Sequence, residues 1–422
     1  MMNPEILKNI IIEGQEILRM VSPVSRNFEF EPHARYVLVG VRQCGKSYLM
    51  YIRALQLIKE GHDIREMVFI NFDDERLIGY KASELDDILK AYSSLFDYRP
   101  ILFLDEIQNV EGWEHFARRL ANQKYEVYLT GSNAKMLSKE IATTLGGRYL
   151  KVMVWPYSFP EYLKANGCEI DHNWMYGAKR GEVERWLKNY LLWGGFPELI
   201  LFVNKRHWLN ELYDKIILGD IIQRNSIKNE MALKLSLRRL AENIKNPTSL
   251  TRLTAMVKAT GISTNVASVS SYIEYCKEAC LLFSLENFAS KFVERTTIRK
   301  HYFIDNGLLN IFLTDSETTL LENLCAVSLH RKSFQDEDYK PYFYNKEVEL
   351  DFYLPALKIG IQACYSLADS ATEEREVRAL LTFHKKYGLN RADIVTFSEE
   401  RVITTSELTI NVVPLSKFLL SL

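Results

Sequence analysis

The chain has 422 residues, a formal net charge of -1, and 47% hydrophobic, 25% charged and 12% aromatic residues. That length holds roughly two to four domains, each able to bury a core, and the composition excludes disordered, collagen-like and small disulfide-stapled classes. No apolar run approaches the ~20 residues that span a bilayer, Glu5 and Lys8 stand where a signal peptide is apolar, and the cysteines include no CxxC pair, so a cytoplasmic protein with reduced thiols and no membrane partner is expected.

The first informative strand is Tyr36-Val37-Leu38-Val39, which runs into Gly40-Val41-Arg42-Gln43-Cys44-Gly45-Lys46-Ser47. This is the pattern GxxxxGK[ST], followed by Tyr48 to Ile52 at helical composition. Strand, glycine loop and helix therefore stand in the order a P-loop needs. Gly40 and Gly45 let the backbone curl until successive N–H groups face one phosphate, and the helix adds its positive N-terminal end. Residues Gly40 through Tyr48 form the expected phosphate-binding set, with Lys46 reaching the β and γ phosphates and Ser47 ligating Mg²⁺.

A strand over Met67–Phe72 comes next, then the apolar run Ile101-Leu102-Phe103-Leu104, opened by Pro100 and closed by Asp105-Glu106. Asp105 is the acidic partner of Ser47 at the Mg²⁺ position. Glu106, one residue on and read as pointing to the other side, is the candidate general base. A helix from Trp113 carries Phe116 and Leu120 at i, i+4. Tyr125–Thr130 is a strand ending in Gly131-Ser132-Asn133, and Lys151–Trp155 is another, stopped by Pro156. Alternating strand and helix predicts a parallel sheet with ligands at the carboxyl ends of its strands. Ser132 or Asn133 is then a γ-phosphate sensor, or simply a turn residue. Arg148, after Gly146-Gly147, is a finger acting in cis or on a neighbouring subunit, or an exposed loop arginine. The Asn-Lys-x-Asp reader of guanine is absent, since Asn204-Lys205 leads to His207 and Asn345-Lys346 to Val348. ATP is the expected nucleotide.

Trp193-Gly194-Gly195-Phe196-Pro197 reads as a tight turn. From about residue 230 short amphipathic helices follow: Leu233, Leu237, Leu240 and Ile244 on one; Leu250, Leu253 and Val257, capped by Ser249, on the next; Val266, Val269 and Ile273 on a third. Leu281–Leu285 then pairs with His301–Ile304. Three helices and a two-stranded ribbon predict a winged helix-turn-helix. Residues 201–300 hold 16 Lys/Arg against 9 Asp/Glu, and Arg238, Arg239, Lys245, Arg252, Lys258, Lys291, Arg295, Arg299 and Lys300 are candidate phosphate contacts. The third helix carries Glu274 and Glu278 and no arginine, against base readout. DNA contact and docking to another domain both remain open.

After Asp305 the pattern is helix, strands, helix, strand. Glu322 lies on a helix. Residues 342–352 alternate like one half-buried strand, with Glu347, Glu349 and Asp351 on one face. Lys358–Cys364 is the next strand, and a helix with Thr372 as N-cap precedes strands at Asp393–Phe397 and Asn411–Pro414. The arrangement resembles the restriction-endonuclease-like fold. That fold's metal site needs a helix Glu, a strand Asp and Glu-x-Lys on the neighbouring strand. Glu322 and Asp351 match the first two, but Gln362-Ala363-Cys364 stands in place of Glu-x-Lys, with no lysine supplied elsewhere. A degenerate domain without nuclease chemistry is expected.

The chain as a whole resembles a prokaryotic ATPase family that joins an N-terminal AAA-type P-loop domain to a C-terminal domain of unknown function. The likeness rests on the glycine loop, Leu104 to Trp113, Thr130 to Leu137, Gly147-Arg148-Tyr149, Trp155 to Phe159, Gly194 to Glu198 and Tyr302 to Leu308. It implies an α/β fold: an AAA-type ATPase domain over 1–165, a helical lid or connector over 166–225, a winged helix over 226–305 and a degenerate restriction-endonuclease-like domain over 306–422. By analogy Ser132 or Asn133 takes the sensor position and Arg148 the finger. The expected activity is ATP hydrolysis with Mg²⁺, acting on nucleic acid, with a slow nucleotide switch docking a protein partner or a second copy as the alternative. A metal-dependent nuclease effector is the third reading.

Overall fold

The apolar runs flanking the glycine loop form a parallel sheet because each is followed by a helix long enough to cross back over it. The computed structural model describes residues 4–288, 298–314 and 316–422. Strands β1 (Tyr36–Val39), β2 (Met67–Asn71), β3 (Ile101–Asp105), β4 (Val127–Gly131) and β5 (Leu150–Met153) lie in the order β2-β3-β4-β1-β5. Every pairing in this sheet is parallel. Helices α1 (Pro4–Met20), α2 (Lys46–Lys59), α3 (Asp86–Ser93), α4 (Trp113–Asn122) and α5 (Lys139–Leu145) accompany it. β1 to β4 are buried almost throughout, as expected for strands covered on both faces. With β4 central and β1 between it and β5, the loop after β1 and the carboxyl ends of β3 and β4 lie at the same end of the sheet.

Phe69, Phe103, Tyr128 and Tyr36 occupy one register level on four adjacent strands. Their rings stack in sequence at centroid separations of 4.3, 4.8 and 6.0 Å, with interplanar angles of 3°, 9° and 5°. Arg53 of α2 donates to the Tyr128 hydroxyl at 2.9 Å, which satisfies the polar end of that column.

This sheet and its helices make one compact unit, ending at Trp155 and joined only by Glu278–Cys280; the rest of the chain makes the second. The second unit starts with α6 (Phe159–Ala165), α7 (Ala178–Trp193) and α8 (Lys205–Lys215), which runs into a π-helical stretch over Ile216–Gln223. Helix α9 (Glu230–Glu242), strand β6 (Thr248–Ser249), helices α10 (Leu250–Lys258) and α11 (Val266–Glu278), and strands β7 (Leu282–Glu286) and β8 (Ile298–Phe303) follow. The three strands pair antiparallel in the order β6-β8-β7. The Ser249 side chain caps α10. Lys291 and Arg295, both candidate phosphate contacts, lie outside the described residues.

Helices α12 (Asn306–Asn310) and α13 (Glu317–Ser333) lead to a six-stranded sheet. Its strands are β9 (Tyr342–Asn345), β10 (Glu349–Leu354), β11 (Ile359–Ala363), β12 (Arg391–Thr396), β13 (Arg401–Thr404) and β14 (Thr409–Pro414), in the order β13-β14-β12-β11-β10-β9. α14 (Ser370–Tyr387) is the crossover between the parallel pair β11 and β12, and α15 (Leu415–Ser421) ends the chain.

Two expectations need correction. Residues 342–352 are not one strand but a hairpin, with Glu349 opposite Asn345. Glu347 sits in the turn and pairs with Lys386 at 2.6 Å rather than sharing a strand face with Glu349 and Asp351. The cap of α14 is Asp369, whose carboxylate accepts from the Thr372 amide at 3.0 Å. Among the described residues no helix is long and apolar enough to cross a membrane.

Candidate functional site

The loop after β1 is held by contacts that leave no room for side chains. A Cβ on Gly40 would lie 2.1 Å from the Val154 carbonyl oxygen and 2.8 Å from Cys44 Sγ, and Gly45 has φ 101°. Gln43 also takes a left-handed backbone, φ 59°. The Arg26 guanidinium donates to the carbonyls of Cys44 (3.2 Å) and Trp155 (2.8 Å), fixing the loop from outside. Helix α2 begins at Lys46 with no side-chain cap, so its first amides are free to meet an anion. Val41 and Cys44 are buried, Arg42 is 3.2 Å from Asp73, and Tyr48 is exposed with its edge against Tyr51.

Lys46 is 4% exposed. Its ammonium lies 3.1 Å from the Gly40 oxygen, 3.2 Å from the Val41 oxygen and 3.3 Å from Glu106 Oε1. Burial pushes it toward neutrality, but Glu106 outweighs that and holds its pKa above the ordinary lysine value. The Ser47 hydroxyl donates to Asp105 Oδ2 at 2.6 Å. Thr130 donates to the other Asp105 oxygen and accepts from the Glu106 amide at 3.0 Å, so β4 orients both acidic residues. Burial and the neighbouring Glu106 raise the Asp105 pKa.

Glu106 departs from the expected strand alternation. Its φ is 51°, so β3 stops at Asp105 and the chain turns, bringing the Glu106 carboxylate beside the Lys46 ammonium. Burial raises its pKa, but Lys46 and then the Gln108 amide pull it down to about 2. Gln108 Nε2 donates to Glu106 Oε2 at 2.5 Å and reaches Ser132 Oγ at 3.4 Å. Its own Oε1 is buried without a partner.

Lys46, Ser47, Asp105, Glu106 and Ser132 are thus brought together. Two other candidates are not. The Asn133 side chain accepts from the Lys135 amide at 2.9 Å, capping a short helical turn. Arg148 is exposed and donates back to the Gly146 oxygen at 3.2 Å. Gln108, Thr130 and Arg26 are given no site role by the sequence. Gln108 and Thr130 do fall inside the stretches Leu104 to Trp113 and Thr130 to Leu137 that carry the family resemblance, which is the signal that could have found them; Arg26 has none.

A second cluster lies on the C-terminal sheet. Glu322 and Asp351 do converge there, and a lysine joins them after all: Lys300 of β8. Its ammonium is 3.1 Å from Glu322, 3.0 Å from Glu349 and 3.0 Å from Asp351. Lys300 is therefore not a phosphate contact. Among the other basic candidates Arg238 and Arg239 both pair with Glu242, and Arg299 is 3.8 Å from Glu286. Lys245, Arg252 and Lys258 are exposed.

Residues 33–163 match the model of an AAA domain, and residues 184–319 match a domain of unknown function, DUF8612. An uncharacterized protein of Methanocaldococcus jannaschii is 32% identical over 430 residues, covering 99% of this chain and 95% of its own. An uncharacterized protein of Haemophilus influenzae is 26% identical over 307 residues, 71% of this chain and 74% of its own. Among solved structures, a Walker-type ATPase of Pyrococcus abyssi is 13% identical with a TM-score of 0.44, covering 74% of this chain and 96% of its own.

Proposed function

This chain belongs to the family of the Methanocaldococcus jannaschii protein, and from its AAA-type P-loop domain we propose that it binds ATP with Mg²⁺ and hydrolyses the γ-phosphate. The observation that carries the reading is the meeting of Lys46, Ser47, Asp105 and Glu106 beside an uncapped helix N-terminus. A hydroxyl and a carboxylate 2.6 Å apart are hard oxygen donors of the kind Mg²⁺ takes. Bound between them, Mg²⁺ would neutralise charge on the phosphate oxygens.

The chain's own residues do the rest. Loop and helix amides hold the phosphates. The Lys46 ammonium, now shared between two loop carbonyls and Glu106, finds stronger partners in phosphate oxygens and moves off Glu106. Losing that cation lets the Glu106 carboxylate rise from its depressed value, so it becomes a better acceptor for the proton of the attacking water. Gln108 keeps the carboxylate aimed, and Ser132 faces the γ-phosphate position. Asn133 and Arg148 act as additional sensor and finger only by leaving the backbone partners they hold now.

Steady-state ATP hydrolysis tests this. The wild type turns over ATP in Mg²⁺; Lys46→Ala loses ATP binding; Glu106→Gln keeps binding and loses on the order of 10²–10⁴-fold in kcat. A wild-type chain that binds no ATP sinks the proposal.

The order helix, strand, helix, helix, strand, strand from α9 to β8 supports a winged-helix reading of the middle domain. Exposed Lys245, Arg252 and Lys258 favour sequence-independent DNA contact, stimulating turnover, over base readout. The acidic α11 favours the alternative, a nucleotide switch that docks a protein partner. Adding DNA to the same assay separates them, since only the first raises kcat.

A further inference from the structure

Beside the C-terminal sheet three carboxylates gather around one buried ammonium group. Glu322 comes from α13, Glu349 and Asp351 from β10, and they converge on a single point at the base of a cleft of ≈ 530 Å³ whose lining includes Lys245, Gln362 and Arg375. Carboxylates are the hard oxygen donors that a divalent cation takes. The point is filled by the Lys300 ammonium, which is wholly buried. Lysine offers three N–H donors and no acceptor. Here three carboxylates stand within 3.1 Å of its nitrogen, with Glu322 and Asp351 accepting hydrogen bonds and Glu349 paired as an ion.

Two further donors hold the cluster. Asp351 Oδ2 accepts from the Ala363 amide at 3.0 Å, and the Tyr302 hydroxyl donates to Glu322 Oε1 at 2.8 Å. Gln362, where a fourth ligand would be expected, turns its amide into the sheet. Its Oε1 accepts from the Asp351 backbone N–H at 2.8 Å and its Nε2 donates to the Glu349 backbone carbonyl at 3.1 Å. Burial favours the neutral amine, but Glu322 and its neighbours outweigh it and keep Lys300 protonated. A divalent ion entering this cluster meets a like charge in contact with every carboxylate it needs. Among the described residues no group of carboxylate, histidine or cysteine ligands is arranged to hold a metal.

We infer that Lys300 is a resident substitute for a divalent cation: the native pocket takes up no Mg²⁺ or Mn²⁺, and removing the ammonium uncovers a latent carboxylate site. The consequence reaches beyond this one contact. Lys300 belongs to the three-stranded sheet of the middle domain, so the charge that a metal would supply from solvent is supplied by a neighbouring element and cannot be chelated away.

The test uses the full-length chain without nucleotide, so that failure of the ATPase reading leaves it untouched. Mn²⁺ uptake is followed by loss of the free-ion EPR signal, and stability by thermal melting. Wild type and Asp351→Asn are expected to take up Mn²⁺ equally, with no Asp351-dependent site. Lys300→Ala is expected to melt below wild type without metal, and to gain one Mn²⁺ site and several degrees of Tm with it; the double variant Lys300→Ala/Asp351→Asn gains neither. Wild-type Mn²⁺ uptake, or Mn²⁺-dependent plasmid nicking, that disappears in Asp351→Asn overturns the inference, and this arm needs no Lys300 variant to fold. A Lys300→Ala chain that Mn²⁺ neither binds nor stabilises overturns it as well.

Discussion

Gln108 bridges Glu106 and Ser132, the two groups that flank the proposed reacting centre, with its amide nitrogen, while its amide oxygen is buried without a partner. An unpaired buried oxygen costs stability unless something else rewards it, and aiming the carboxylate is that reward. Gln108→Ala should lower kcat for ATP about 10–100-fold, as expected when a catalytic group drifts by about 1 Å, while KM changes less than about threefold. In a Glu106→Gln background the same substitution should have almost no further effect. A uniform KM rise with unchanged kcat, read from steady-state kinetics, contradicts a positioning role. Thr130, whose hydroxyl couples the Glu106 amide to the Asp105 carboxylate, is expected to fall in the same kinetic class.

At the scale of elements, the stacked column Phe69-Phe103-Tyr128-Tyr36 ties four strands together across their hydrogen-bonding direction. Each stacked pair adds about 0.5–1.5 kcal/mol beyond area burial, and Phe103 takes part in two. Phe103→Ala should therefore destabilise by about 3–5 kcal/mol, measured by urea unfolding, whereas Arg53→Lys loses only the hydroxyl contact and costs less. The parallel core was legible because its chemistry is local: the glycine loop spans eight consecutive residues and the acidic strand six. The hairpin at 342–354 was not, because its turn preserves parity. Tyr344 pairs with Leu350, so parity carries across the turn itself and a period of two cannot report it; the register shifts only beyond, where Tyr353 pairs with Tyr342. Lys300 was misassigned for a different reason. Its partners lie 22 to 51 residues downstream, and a lysine in a basic stretch reads as a surface charge until the fold buries it.

At the scale of the molecule, the second unit is stitched by buried amides near its midpoint. Asn306 Nδ2 donates to the Leu191 and Leu320 carbonyls, both at 2.9 Å, and Asn323 bonds Asn306 Oδ1 and both polar backbone groups of Phe303. Asp305 accepts from the amides of Gly195 (2.7 Å) and Gly307 (2.8 Å). A Cβ on Gly194 would land 2.0 Å from the same carboxylate, which explains the paired glycines of the Trp193–Pro197 turn. A chain cut after Asp305 leaves β8, α7 and Lys300 with unsatisfied buried groups, each costing about 1–3 kcal/mol. Such a fragment should lose its cooperative thermal transition and partition into the insoluble fraction, whereas the intact chain melts cooperatively; soluble yield and calorimetry check this.

The aromatic column of the first unit has an optical consequence. Tyr36 and Tyr128 are held nearly parallel to each other, and Tyr128 to Phe103, inside an asymmetric frame, so their transitions acquire rotational strength that freely turning rings lack. That near-ultraviolet dichroism vanishes when packing loosens even while helices and strands persist. The part of the tyrosine band that a Tyr36→Phe/Tyr128→Phe variant removes is thus a built-in gauge of whether this parallel sheet is locked, read without attaching a dye and lost before the far-ultraviolet signal when that sheet goes molten.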